Sequence, residues 1–174
     1  MIAPEPVLEP RGTPISVYQR LKALSSLGHQ LDLVTYHLGE DIDIPGVEIH
    51  RIPKFPFIKK VKIGPSMAKL FMDVFVFLKA LAMLMTHRYE VIHSHEEAAF
   101  FGIFLARLFG TLHIYDMHSS LPNQLRSFEF WGERFFVIPF KALERMVLRH
   151  SDAVIAIDAE LFDRVQQISP AVAK

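Results

Sequence analysis

The sequence contains no cysteine. That excludes a disulfide framework, a thiolate metal site and a cysteine nucleophile, and it fits a reducing compartment. An excess of charge of either sign is also missing. The 19 Lys and Arg residues balance 19 Asp and Glu, so the net charge is zero. No broad field draws the chain to nucleic acid, and no nucleic-acid partner is expected. The opening MIAPEPVLEPRG has neither the basic leader nor the apolar centre of a secretory signal. The most apolar run, Leu70 to Met85, falls short of the roughly 20 residues that cross a bilayer, and it holds Asp73 and Lys79. It reads as a helix buried in a domain, and the chain as soluble. There is no internal repeat and no low-complexity segment.

What is there is apolar. At 51% hydrophobic residues the chain can fill a substantial core, and 174 residues suit one domain spanning 1–174. Strand and helix patterns alternate along it. Met1–Ala3 is a short apolar start before Pro4. Ile15–Leu27 carries Val17, Leu21, Leu24 and Leu27 at helical spacing, with Gly28 as its stop. Leu31–Tyr36 and Val47–Ile52 read as strands, and Pro53–Ser66 as a basic, aromatic loop. A long helix follows from about Ser66 to about His87, then a strand from about Glu90. Glu97–Phe109 is a helix closed by Gly110, and LHIYDM is the next strand. Glu133–Arg149, Asp152–Ile157 and Asp158–Gln167 complete the series as helix, strand and helix. Repeated β–α alternation with continuously apolar strands implies a parallel sheet covered by helices, an α/β Rossmann-like three-layer sandwich.

In such a sheet, ligands collect beyond the C-terminal ends of the strands. The residues just past each strand therefore carry the candidate chemistry. In LHIYDMHSSLPNQ an apolar run gives way to Asp116, His118, Ser119 and Ser120, where the ligand crevice should open. The loop after the first strand holds only Gly12, so it lacks the G-x-G-x-x-G that lets a backbone approach a dinucleotide pyrophosphate. Gly12-Thr13-Pro14 fits two readings: a helix start presenting N–H groups to an anion, or an ordinary strand-to-helix turn. His93 and His95 share one face of a strand, with Glu96 adjacent. No third ligand of fitting spacing follows locally, so no metal site is expected. One of these histidines is expected to pack against the sheet, with His95 or Glu96 facing the crevice. Taken alone, His118 is more readily structural than functional, and no Ser-His-Asp triad can be assigned from spacing. KFPFIKKVK interleaves Lys54, Lys59, Lys60 and Lys62 with Phe55 and Phe57. It fits either contact with an anionic membrane surface or a solvated loop with phenylalanines tucked into the core.

Four segments, in their order and spacing, carry a resemblance. APEP…RGTPISVYQRLKALSSLGHQLDLVTY runs strand, loop, helix and then a G-H-x-V-x-V-x-T-like strand at Gly28–Tyr36. YEVIHSHEEAAFFGIFLARLFG matches a D-V-I-H-x-H segment and its following helix, with Glu90 where aspartate is usual. MHSSLP matches an x-H-x-x-x-P turn, and Leu143–Asp158 matches a helix followed by a-D-x-V-I-A-x-S. Together they resemble the N-terminal half of a GT-B glycosyltransferase of the retaining group called family 4.

The resemblance implies two Rossmann-like domains around a cleft. The first mainly binds the acceptor; the second mainly binds the nucleotide-sugar donor and carries an E-x7-E motif. This chain shows neither that second domain nor a convincing copy of its motif. The expectation is therefore half an enzyme, inactive alone, whose partners are a nucleotide-sugar donor, an unidentified acceptor and the C-terminal domain of the same protein. His118 matches the histidine that reaches the donor sugar near its reacting carbon. Arg11, Gly12 and Thr13 lie on the loop near the donor phosphates, with Arg11-Gly12 in place of the usual glycine pair. Arg11 would supply charge where the leaving diphosphate gains it. His95, Glu96, Ser119 and Ser120 would line the acceptor side. No cofactor and no bound metal are implied. The site of action would be cytoplasmic, with peripheral contact at the inner face of the membrane and a lipid-linked acceptor as one option. Two other classes stand beside this one. A nucleotide-dependent oxidoreductase domain is opposed by the missing glycine motif. A stand-alone α/β module that binds a sugar or a protein would need a chain ending near Lys174.

Overall fold

A computed structural model describes the backbone of residues 1–10, 12–61, 66–120 and 133–172, and the side chains of all of these except 133–138. The chain forms two compact units, Met1–Thr86 and His87–Lys174. The architecture is α/β and Rossmann-like, with parallel strands in both units.

The first unit contains β1 (Ile2–Ala3), α1 (Gly12–Ser26), β2 (Leu31–Thr35), β3 (Val47–Arg51) and α2 (Met67–Thr86). Its strands lie in the order β3-β2-β1. Ile2 pairs with Val34, and Leu31 with Val47. Helix α1 begins at Gly12, earlier than the apolar spacing suggests. Pro14 sits in its first turn, where a missing N–H breaks no helical bond. Val17 and Leu21 of α1 pack with Ala3, Val7, Leu33 and Ile44 into one cluster. Each fully buried leucine here contributes about 1.5–3 kcal/mol. No helix joins β2 to β3. Instead, Arg51 at the end of β3 ties down the connection, donating to Glu40 O at 2.7 Å and to the Asp41 carboxylate at 2.9 Å.

Helix α2 buries one face, through Met72, Val76, Ala80, Met83 and Leu84. The expectation of a buried helix therefore holds for that stripe alone. Met67 is 80% exposed and Leu70 60%. No helix among the described residues is long and apolar enough to cross a membrane.

The second unit contains β4 (Val91–His95), α3 (Ala98–Phe109), β5 (Leu112–Met117), α4 (Glu133–His150), β6 (Ala153–Ala156) and α5 (Ala159–Ile168). Its strands lie in the order β4-β5-β6. Gly110 ends α3 in the left-handed conformation, at φ 68°, and its N–H bonds to Ala106 O. Asp158 caps α5 by accepting from the Leu161 N–H at 2.8 Å.

The two faces of β5 differ in kind. Tyr115 and Met117 pack with Ala99 and Ile103 of α3, Val147 and Leu148 of α4, and Leu161 and Val165 of α5. Strand alternation turns Asp116 to the opposite face. The unit thus has an apolar side under its helices and a second side on which polar residues gather.

Candidate functional site

The site grows from the register of β4 against β5. His95 pairs with Asp116, and His93 with Ile114. Residues at i and i+2 share a face, so His93, His95 and Asp116 point to one side. The arrangement is compact. His93 Nε2 lies 3.2 Å and His95 Nε2 3.7 Å from Asp116 Oδ2, while His118 Nε2 lies 3.2 Å from Asp116 Oδ1. The His93 and His95 rings stack with centroids 5.1 Å apart, and the His118 ring lies 5.5 Å from that of His95. His95 is 0% exposed and Asp116 1%. One buried carboxylate thus meets three imidazoles at the C-terminal ends of two parallel strands.

The chain leaves β4 by a sharp turn. Glu96 has φ 49°, a left-handed conformation that side chains other than glycine seldom adopt. Such strain gathers at functional turns. It brings the Glu96 carboxylate to Ser119, whose hydroxyl donates to it at 2.8 Å. Ser120 points into the interior instead. Its hydroxyl donates to Glu144 at 2.8 Å, and Arg164 Nε donates to the other oxygen of that carboxylate at 2.8 Å.

On the apolar side of the same strands, a second polar set holds the framework. His113 contacts Ser94 Oγ at 3.0 Å and Ser151 Oγ at 2.9 Å. Burial pushes the His113 pKa down to about 4; Asp152 opposes this and His93 adds to it. The imidazole is therefore neutral near pH 7. Helix α3 comes so close here that a Cβ on Gly102 would lie 2.0 Å from Ser94 Oγ.

The structure thus brings His95, Glu96, His118, Ser119 and Ser120 into one neighbourhood of the second unit. Gly12 and Thr13 open α1 in the first unit, Gly12 exposed and Thr13 half-buried. Arg11 lies outside the described residues, as do Lys62 and Pro122. Asp116, noted in the polar run after β5, and His93, noted beside His95, were given no site role from sequence, because their meeting depends on the pairing of two distant segments. Strand register is the signal that joins them.

The family model for glycosyltransferase family 4 matches residues 10–172. The chain belongs to that family. Among solved structures it is similar to sucrose-phosphate synthase from Thermosynechococcus elongatus, with a TM-score of 0.62 and 17% identity over 98% of this chain. It spans 45% of the length of that protein. A second structure of the same enzyme gives a TM-score of 0.59 and 19% identity, over 99% of this chain and 83% of the other. At these identities the likeness concerns the fold, a Rossmann-like half of the GT-B type. No curated protein matches at the level of sequence.

Proposed function

We propose that this chain is the acceptor-binding half of a retaining glycosyltransferase that moves a sugar from a nucleotide-sugar donor to an acceptor. The observation that carries this is His118, placed just past β5 in a family 4 chain and in contact with Asp116. With Nε2 turned to Asp116, the Nδ1 edge of the ring is the one left to meet a donor-sugar hydroxyl. Glu96 and Ser119 stand beside it as polar groups suited to an acceptor. In the first unit, taken by itself, the start of α1 at Gly12 offers backbone N–H groups of the kind that favour an anion, and the family resemblance assigns Arg11, Gly12 and Thr13 to the donor phosphates. Transfer requires the donor-binding domain as well, so this half alone is inactive. The proposed chemistry needs no metal and no cofactor, the nucleotide sugar being a substrate.

The test is His118→Ala in the complete enzyme, assayed after a screen of nucleotide sugars. Turnover falls at least about tenfold while the fold survives. Normal turnover in that variant would remove His118 from the mechanism. Tight NAD binding would favour an oxidoreductase instead, and sugar binding indifferent to nucleotide would favour a binding module.

One observation supports an acceptor near a membrane. Phe55, Phe57, Phe71 and Phe75 form a continuous ring cluster with centroids 4.8–6.3 Å apart. Phe57 is 75% exposed, and Lys54, Lys59 and Lys60 beside it are exposed too. Aromatic rings with flanking lysines suit an anionic lipid surface, where each lysine contributes about 1 kcal/mol. The proposed contact is peripheral and reversible. Cosedimentation with phosphatidylglycerol vesicles should succeed at low salt and fail at high salt, for phosphatidylcholine vesicles, and for Phe57→Ser. Equal binding to both lipids would exclude the electrostatic part.

A further inference from the structure

Helix α2 packs one stripe inward, yet its opposite stripe is apolar too. Met67, Leu70, Phe71, Val74, Leu78 and Met85 recur at three-, four- and seven-residue spacing, so they share one face. All six are exposed, Met85 to 72%. The charged residues of α2 are Lys69, Asp73 and Lys79, and by the same spacing they fall outside that stripe. Asp73 accepts from the Tyr36 hydroxyl. A helix face turned to water ordinarily carries its charges there. About 27 Å of exposed apolar face without a charge marks an interaction surface.

Two observations say what covers it. The Phe71 ring contacts those of Phe55 and Phe57, with centroids 5.1 and 6.3 Å away, so the stripe runs on into the aromatic loop. Residues 53–86 also hold six lysines against one acid, Asp73, in a chain whose net charge is zero. An apolar face fringed by lysines suits an anionic leaflet. The headgroups meet the ammonium groups, and the acyl boundary takes the apolar side chains. A second copy of this chain would bring the same positive fringe and no counter-charge. Helix α2 does not cross the bilayer, since it is not long and apolar enough and its other stripe is packed within the unit.

We propose that α2 lies along the surface of an anionic membrane, with the face from Met67 to Met85 dipped into the leaflet. The inference rests on the lipid contact read from Phe57 and its lysines, and it extends that contact from a loop to about five turns of helix. A helix face, unlike a loop tip, fixes which side of the unit meets the lipid.

The sequence has no cysteine, so a single introduced cysteine can carry an environment-sensitive fluorophore. Leu78→Cys, Met85→Cys and Phe57→Cys, and Glu160→Cys at an exposed position of the second unit, are each labelled in the full chain and mixed with phosphatidylglycerol vesicles. The expected result is brighter, blue-shifted emission from the first three labels, quenched by spin-labelled lipid, and no change from the fourth. Val74→Glu, at an exposed position, should weaken vesicle binding at least about tenfold. A change at Phe57→Cys alone would overturn the inference and leave the loop contact standing. No change at any label would overturn both, and neither outcome touches the transfer chemistry. An equal change at Glu160→Cys would mean unspecific adsorption and overturn it as well. A dimer in the absence of lipid that Val74→Glu dissolves, with no emission change at Leu78→Cys or Met85→Cys, would assign the face to a second copy instead.

Discussion

His118 Nε2 lies 3.2 Å from Asp116 Oδ1, so a buried carboxylate from its own strand end stands beside the imidazole. Asp116 is 1% exposed and faces His93 and His95 through its other oxygen. Under the proposed function, Asp116 would be a positioning residue for His118. In the complete enzyme, Asp116→Asn keeps the shape of the side chain and removes its charge. Turnover is expected to fall about tenfold, equivalent to about 1.4 kcal/mol in the barrier. The loss should appear in kcat with little change in KM, together with an altered pH profile. An unchanged pH profile and a raised KM would mean that Asp116 serves acceptor binding instead.

The alternation of strands and helices was legible because each element repeats its period over several turns or residues. Six strands and five helices appear among the described residues where the patterns put them, within a few residues at their ends. The ends differ for physical reasons. Asp158 belongs to the cap of α5 and not to its first turn, and Pro14 lets α1 begin before its apolar stripe does. Leu27, counted into the stripe, is 73% exposed past the end of the helix. The cluster itself was only half legible. His118 and His95 were marked by position after strands, but the Asp116 contact depends on register, which local sequence does not encode. The directions of the two serines were likewise invisible. Ser119 and Ser120 are neighbours in sequence, yet one bonds Glu96 and the other Glu144.

The Glu144 contact gives a stability prediction. Its carboxylate is 2% exposed and is held by Ser120 and by two nitrogens of Arg164. Removing the cation alone leaves a buried charge with insufficient compensation. Arg164→Met should cost about 3 kcal/mol in urea unfolding. Adding Glu144→Leu should recover most of that loss, because the charge goes with its partner. A double variant no more stable than Arg164→Met would show that packing around Arg164, not its charge, matters.

His113 makes stability depend on pH. Its pKa is lowered to about 4, chiefly by burial, whereas an unfolded histidine titrates near about 6.5. Between these values the unfolded chain binds the proton and the folded chain does not. The contribution is therefore full above about pH 6.5 and is lost as pH falls toward 4. The shift corresponds to a loss on the order of 3 kcal/mol. Urea midpoints at pH 7 and pH 4.5 should differ more for the native chain than for His113→Gln. Equal differences would mean that His113 binds its proton equally well in the folded and the unfolded chain.

Gly102 ties the helix to that same buried pair. A Cβ there would lie 2.0 Å from Ser94 Oγ, inside any tolerable contact, and 3.0 Å from His113 Nε2, a tight one. In an exposed helix interior, Gly→Ala stabilises by up to about 1 kcal/mol. At this position the sign reverses, because α3 must move off β4 or Ser94 must swing away from His113. Gly102→Ala is expected to destabilise by about 1–3 kcal/mol. Ser94→Gly, introduced in the same chain, clears both atoms that the new methyl group meets on that residue and should recover part of the loss. A stabilised Gly102→Ala variant would mean that α3 sits farther from β4 than this packing has it. The shelter that keeps His113 neutral would then be looser, and the acid sensitivity argued above should shrink with it.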